Sequence, residues 1–157
     1  MKASDPVFLQ ACVDLAENGR PTCAPNPTVG CLIVRDGRVL GRGFHVATGQ
    51  GHAEANAIAD AGIDITGSTV YVSLEPCSFE GRTPACAQTL IERNVKRVVV
   101  AALDPHEKVS GEGMQMLQRA GVEVELIELI STCLYPGIRQ TGDFGAPAGA
   151  PKDGQQF

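Results

Sequence analysis

Three residues constrain this chain more than any others: His52, Cys77 and Cys86, carried by the runs His52-Ala53-Glu54, Pro76-Cys77 and a cysteine nine residues further on. An imidazole and two thiolates are borderline-to-soft ligands that suit Zn²⁺, and three protein ligands leave one coordination position open for water. Zinc lowers the pKa of a bound water to about 7, which makes hydroxide available at neutral pH. Glu54 is too close to His52 along the chain to share the metal comfortably, and it is well placed to move protons. A closed structural site would take four protein ligands. The other histidines are His45 and His106, and no further cysteine lies near this group. Cys86, in a C-x₈-C loop, could still belong to a structural knuckle.

The pattern around these residues is that of an α/β domain. Asp5 to Asn18 repeats apolar residues near a 3.6 period, with Ser4 or Asp5 as N-cap, Pro6 in the first turn and Gly19 at the end. Arg20 to Thr28 carries three prolines and reads as a loop. Two strands around Asp36-Gly37 predict a hairpin over Val29–Phe44. His52–Ala61 reads as an alanine-rich helix closed by Gly62. Further strands are expected at Thr69–Leu74, Val95–Leu103 and Val122–Ile127, with helices at 84–93 and 112–120. An antiparallel hairpin followed by alternating helices and strands implies a mixed five-stranded sheet with helices on both faces, a three-layer α/β/α arrangement. Ligand sites in such sheets gather at strand C-terminal ends and helix N-termini, and His52, Glu54, Cys77, Cys86 and Asp104 all fall on one such rim.

The length of 157 residues suits one compact domain. It is read as residues 1–145, with 146–157, rich in Gly and Pro, as a disordered tail. The net charge is −5, without a basic run, and there is no Trp and only two Tyr. Phosphate-backbone binding needs clustered Lys/Arg, so a nucleic-acid partner is not expected. A leader peptide and an apolar stretch of about 18 residues are both missing, which leads to the expectation of a soluble, cytoplasmic protein with no membrane contact. Six cysteines are an even number, but without a secretory context they read as thiols rather than bridges. Cys12 and Cys31 are expected in the core.

GHAEANAI, YVSLEPCSFEGRTPAC and VVVAALDP, together with APNPTVGCLIV and the GxGFH of the hairpin, resemble the deaminase domain of bacterial riboflavin biosynthesis. That family, diaminohydroxyphosphoribosylaminopyrimidine deaminase, lies within the cytidine deaminase-like superfamily. The resemblance runs from about Val7 to about Glu128. The C-x₈-C spacing is more specific than H-x-E alone, since cytidine and tRNA adenosine deaminases close with C-x-x-C. The resemblance implies a cytidine deaminase-like fold, with Zn²⁺ on His52, Cys77 and Cys86 and Glu54 as the general acid/base. It also implies substrate contacts at Asn26, His45, Arg82 and Asp104, with His106 beside them. Here His106-Glu107 replaces the family's Asn-Pro, and Phe79-Glu80 replaces its usual His. The catalytic half of the pattern is intact and the phosphoribosyl half is altered.

The resulting expectation is hydrolytic deamination of the phosphoribosylaminopyrimidine of riboflavin biosynthesis or a close relative. A deaminase of a phosphate-free amino-heterocycle, base or nucleoside is the alternative with the same chemistry. A non-catalytic zinc-binding module is the alternative of another class, although retention of Glu54 argues against it. A small-molecule substrate, a homo-oligomer with a dimer favoured, and a separate reductase in the same pathway complete the expected partners.

Overall fold

A computed structural model of the chain describes residues 1–81, 83–105 and 110–129. Arg82, His106, Glu107, Cys133 and the 146–157 segment lie outside the described residues. Helix α1 (Asp5–Ala16) runs into a 3₁₀ turn, Glu17–Gly19. Then come β1 (Gly30–Arg35), β2 (Arg38–Phe44), α2 (Ala53–Ala61), β3 (Thr69–Val72), α3 (Cys86–Glu92), β4 (Arg97–Val100), α4 (Glu112–Arg119) and β5 (Glu123–Leu126). Asp36 and Gly37 both have positive φ, 52° and 75°, as the tight hairpin turn requires. Among the described residues, no helix is long and apolar enough to cross a membrane.

The strand order is β2-β1-β3-β4-β5. β1 is antiparallel to both β2 and β3, whereas β3, β4 and β5 are parallel. Both faces of the central strands are covered, which explains why they read as continuous apolar runs rather than as alternating ones. On one face Cys31, Ile33, Val70, Val72, Val98 and Val100 pack with Ala53 and Ala57 of α2, Leu90 of α3 and Leu117 of α4. On the other, Leu32, Val34, Tyr71 and Val99 pack with Leu9 and Cys12 of α1. The three-layer α/β/α fold expected from the sequence is the one observed.

Two glycines of β2 decide how α2 docks. A Cβ on Gly41 would stand 2.2 Å from the Ala57 carbonyl oxygen, and one on Gly43 2.2 Å from that of Ala53. The helix backbone therefore lies directly on the strand. Alanines on the helix and glycines on the strand leave no side chain between them, so the start of α2 is held at a fixed height above the sheet.

The α1 face contains a charge, and it decides between the two N-cap candidates. Asp5 does not cap its helix: the N-cap is Ser4, without a side-chain cap bond, and Asp5 is buried. Arg97, only 1% exposed, donates from Nη1 to Asp5 Oδ1 at 2.8 Å and from Nη2 to Oδ2 at 2.7 Å. Tyr71 donates its hydroxyl to Asp5 Oδ1 at 2.7 Å, and Glu125 adds a second carboxylate to Arg97. A carboxylate buried against sheet residues is satisfied by a bidentate guanidinium, and that demand outweighs capping. β4 is correspondingly short, Arg97–Val100 rather than Val95–Leu103.

The Arg97 hydrogen bonds hold the Asp5 carboxyl well below the ordinary carboxylate range. An unfolded Asp titrates near ~3.9, so the contribution of this pair is complete above about pH 5 and is lost progressively as pH falls toward the folded pKa. Asp5→Ala is expected to cost about 3 kcal/mol, because it removes the bidentate partner of a buried guanidinium and the acceptor of the Tyr71 hydroxyl, and to flatten the acid limb of the stability–pH curve. Urea unfolding of both proteins across pH 3–7 checks it.

Candidate active site

The topology brings several chain segments to one rim. β3 and β4 are parallel and end together, with Val72 beside Val100. Because β1 is antiparallel to β3, it begins where β3 ends; β2, antiparallel to β1, finishes there too, with Gly30 beside Phe44. Val29, His45, Leu74–Cys77 and Asp104, each just outside a strand at this rim, are thereby neighbours. A cavity there is lined by Val29, His45, His52, Ala53, Glu54, Leu74, Glu75 and Cys77.

His52 is the N-cap of α2, with extended backbone (φ −68°, ψ 163°) and no side-chain cap bond. Its ring is therefore free to face away from its own helix. Cys86 opens α3, and Cys77 lies in the loop before it. His52 Nδ1 is 3.2 Å from Cys86 Sγ and 3.7 Å from Cys77 Sγ. The Cys86 backbone N–H donates to Cys77 Sγ at 3.1 Å, and the Ala87 N–H donates to the Cys77 carbonyl at 3.0 Å. A tetrahedral zinc with Zn–S of ~2.3 Å and Zn–N of ~2.1 Å sets N···S edges of about 3.6 Å. The three donors fit the ion in both chemistry and spacing, and they are the group among the described residues that could hold one.

The titration of the cluster carries the same message. A hydrogen bond from Cys86, helped by His52 and the Cys86 N–H, draws the Cys77 thiol down to about 5 against the effect of burial. The Cys77 contact and burial push Cys86 well up. Burial alone would lower His52, but Cys77 and Glu54 reverse the sign and raise it. These groups share protons that a divalent cation would displace.

Glu54, in the first turn of α2, is 4% exposed. Burial pushes its carboxyl up to about 7, with the nearby His52 pulling the other way. A carboxyl that exchanges its proton near neutrality suits general acid/base work.

Asn26 and His45 also meet. Asn26 Nδ2 lies 2.9 Å from His45 Nε2, and His45 Nδ1 lies 3.2 Å from the Gly51 carbonyl. The His45 ring stands edge-on to that of His52, centroids 5.9 Å apart, and its burial lowers its pKa. Asp104 is buried at the end of the β4 segment but does not line the cavity.

Glu75 is a residue that sequence reasoning passed over. Its buried carboxylate accepts backbone N–H groups from Asp104 (3.1 Å), Gly111 (2.9 Å) and Gly113 (2.8 Å). A Cβ on Gly113 would stand 1.9 Å from the Pro76 carbonyl oxygen, so the start of α4 rests on the loop that carries Cys77. A lone glutamate after a strand gives little signal; the Gly111-x-Gly113 pair opening α4 was the available clue. Glu75→Gln puts an amide nitrogen where a carboxylate oxygen now accepts an N–H, and a loss of about 1–3 kcal/mol is expected. Because Cys77 is two residues away, the variant is also expected to release zinc to a chelator faster. Unfolding curves and chelator competition test the two effects separately, and wild-type chelator resistance would refute the link to Cys77.

The family model described as the cytidine and deoxycytidylate deaminase zinc-binding region matches residues 2–102. The chain is 50% identical to riboflavin biosynthesis protein RibD of Haemophilus influenzae over 121 residues, 77% of this chain and 32% of that protein. It is 40% identical to the diaminohydroxyphosphoribosylamino-pyrimidine deaminase of Buchnera aphidicola over 122 residues, 78% of this chain and 83% of the relative. Among solved structures, Acinetobacter baumannii RibD superposes with a TM-score of 0.76 at 48% identity, covering 78% of this chain and 35% of that one. The chain thus spans about a third of the length of the first curated relatives that it matches. A zinc-compatible His/Cys/Cys group within a matching fold, and a relative matched over most of both lengths, place this chain in the cytidine and deoxycytidylate deaminase family, as a relative of the diaminohydroxyphosphoribosylaminopyrimidine deaminases.

Proposed function

We propose that this protein hydrolytically deaminates an aminopyrimidine, namely the phosphoribosylaminopyrimidine intermediate of riboflavin biosynthesis or a close relative of it. The observation that carries the reading is the placement of Glu54, a buried carboxyl raised toward neutrality, in the same cavity as His52 and Cys77. Identity of 40% to a named deaminase over 83% of its length supports the substrate class.

His52, Cys77 and Cys86 would hold Zn²⁺, which when bound makes a water nucleophilic at neutral pH. Glu54 takes the proton of the attacking water and delivers it to the ring nitrogen. It then takes the proton of the hydroxyl added to the ring carbon and passes it to the departing amine, so that water is consumed, a carbonyl replaces the amino group and ammonia leaves. Val29, Leu74 and Ala53 give the cavity apolar walls, against which a flat heterocycle can exclude bulk water. The reaction needs no reductant, so a reductase partner belongs to the pathway rather than to this site.

Arg82, outside the described residues, is the candidate for a ribosyl phosphate on sequence grounds, with Asp104 and His106. Glu80, whose charge disfavours a phosphate, is exposed, where solvent screens it. A cytoplasmic homodimer is the expected context.

Two measurements test the proposal. Ammonia release is assayed across aminopyrimidines with and without a ribosyl phosphate; turnover of the phosphoribosyl compound supports the reading, and activity only on a phosphate-free heterocycle overturns it. Glu54→Gln is expected to retain stoichiometric zinc and lose about 10²- to 10⁴-fold in kcat. A variant that keeps its turnover would remove Glu54 from the mechanism.

A further inference from the structure

Two residues of α2, Asn56 and Asp60, are poor helix formers set in an otherwise alanine-rich run. Both turn their side chains to β2. Asp60 Oδ2 accepts the Arg42 backbone N–H at 2.8 Å, and Asn56 Nδ2 donates to the Phe44 carbonyl at 2.8 Å. One turn apart, they tie the same helix to the same strand. Asn56 does more, since its Nδ2 also donates to the Gly51 carbonyl at 3.2 Å. Both partners are carbonyl oxygens, which only accept, so the nitrogen of the amide and not its oxygen must face them.

The Gly51 carbonyl belongs to the peptide group that enters His52, and the His52 carbonyl to the one that leaves it. The latter accepts the Asn56 backbone N–H at 3.0 Å. Asn56 thus holds both planar peptide groups that bracket the His52 Cα, which leaves φ and ψ there (−68° and 163°) little freedom. The direction of the Cα–Cβ bond follows, and with it the side from which the imidazole approaches Cys77 and Cys86. Phe44 refers the arrangement to the end of β2, in register with Gly30 at the start of β1. The Gly51 carbonyl also lies 3.2 Å from His45 Nδ1, so the hairpin end, the loop before α2 and the helix itself meet at this point. The contact is tight: a Cβ on Gly51 would stand 2.8 Å from Asn56 Oδ1.

We propose that Asn56 is a positioning residue for the metal centre: its carboxamide, bound to Phe44 and Gly51, fixes the backbone at His52 so that the imidazole meets the two thiols at zinc-bonding distance. The inference rests on the reading of His52, Cys77 and Cys86 as zinc ligands. It goes beyond that reading by assigning part of the site's affinity to a residue that is not among the metal donors and does not line the cavity. Asp60, the matching tie one turn further on, fixes the helix but not His52.

Zinc affinity of the full chain is measured by competition with a chromophoric chelator, beside urea unfolding of the same samples. Asn56→Ala is expected to raise the zinc Kd by roughly 10- to 100-fold, the usual range when a residue that orients a ligand is lost. Asp60→Ala removes the neighbouring tie and is expected to lower stability while its zinc Kd stays within about twofold of wild type. The Co²⁺-substituted protein gives a spectroscopic readout: the d–d absorption of Asn56→Ala is expected to shift in position or intensity, and that of Asp60→Ala to overlay wild type. Gly51→Ala retains every hydrogen-bonding group. Its φ is not positive, and the nearest atoms its methyl would meet are those of the Asn56 carboxamide, which must move aside. It is expected to raise the Kd by about threefold or more alone and to add nothing in an Asn56→Ala background, and it carries the test should Asn56→Ala fail to fold. Wild-type affinity and spectrum in Asn56→Ala, wild-type affinity in Gly51→Ala, or an Asp60→Ala as impaired in zinc binding as Asn56→Ala overturns the proposal. A wild type without stoichiometric zinc overturns the metal reading beneath it, whereas normal zinc in the wild type with unaltered variants overturns this inference alone.

Discussion

Everything at the rim depends on the backbone contact between α2 and the hairpin. Gly41 and Gly43 let the helix lie on β2 without an intervening side chain, and the helix start carries both His52 and Glu54. A helix backed by larger residues would stand further from the sheet and lift those two side chains away from Cys77. The other candidate ligands are held by hydrogen bonds to helix starts: Cys77 to that of α3 through the Cys86 and Ala87 N–H groups, and the loop before it to that of α4 through Glu75 and Gly113. In close-packed interiors a displacement is passed on rather than absorbed. The metal group is therefore as rigid as the packing beneath it.

Three buried carboxylates show how environment divides structural from chemical roles. Asp5 is matched by a guanidinium and a phenol, and its ionised form is strongly favoured. Glu75 is matched by three backbone N–H groups that join the ends of two strand segments to a helix start. For Glu54 burial outweighs the help of His52, Cys86 and the backbone, and raises its pKa to about 7. The carboxyl whose burial outweighs its favourable contacts is the one beside the candidate metal donors, where a reacting proton would be handled.

The sequence by itself determined most of the elements and the candidate metal donors. Asp36-Gly37 predicted the hairpin turn, Gly62 the end of α2, and the apolar runs in β1, β3 and β4 their burial on both faces. The H-x-E, P-C and C-x₈-C spacings picked out His52, Glu54, Cys77 and Cys86, because ligand chemistry restricts residue type and both helix starts are marked locally. What the sequence could not determine depends on partners far apart in the chain. Ser4 and Asp5 are both N-cap candidates in the sequence, because nothing local shows Arg97, 92 residues away, at the side of Asp5. Glu75 went unnoticed because its partners are backbone N–H groups, which every residue but proline possesses. The meeting of Asn26 with His45, 19 residues apart, depends on a loop whose position only the fold defines. Local physics chose the elements and marked the donors, whereas the burial and pairing of each charge and amide were decided when the distant segments met in the tertiary structure.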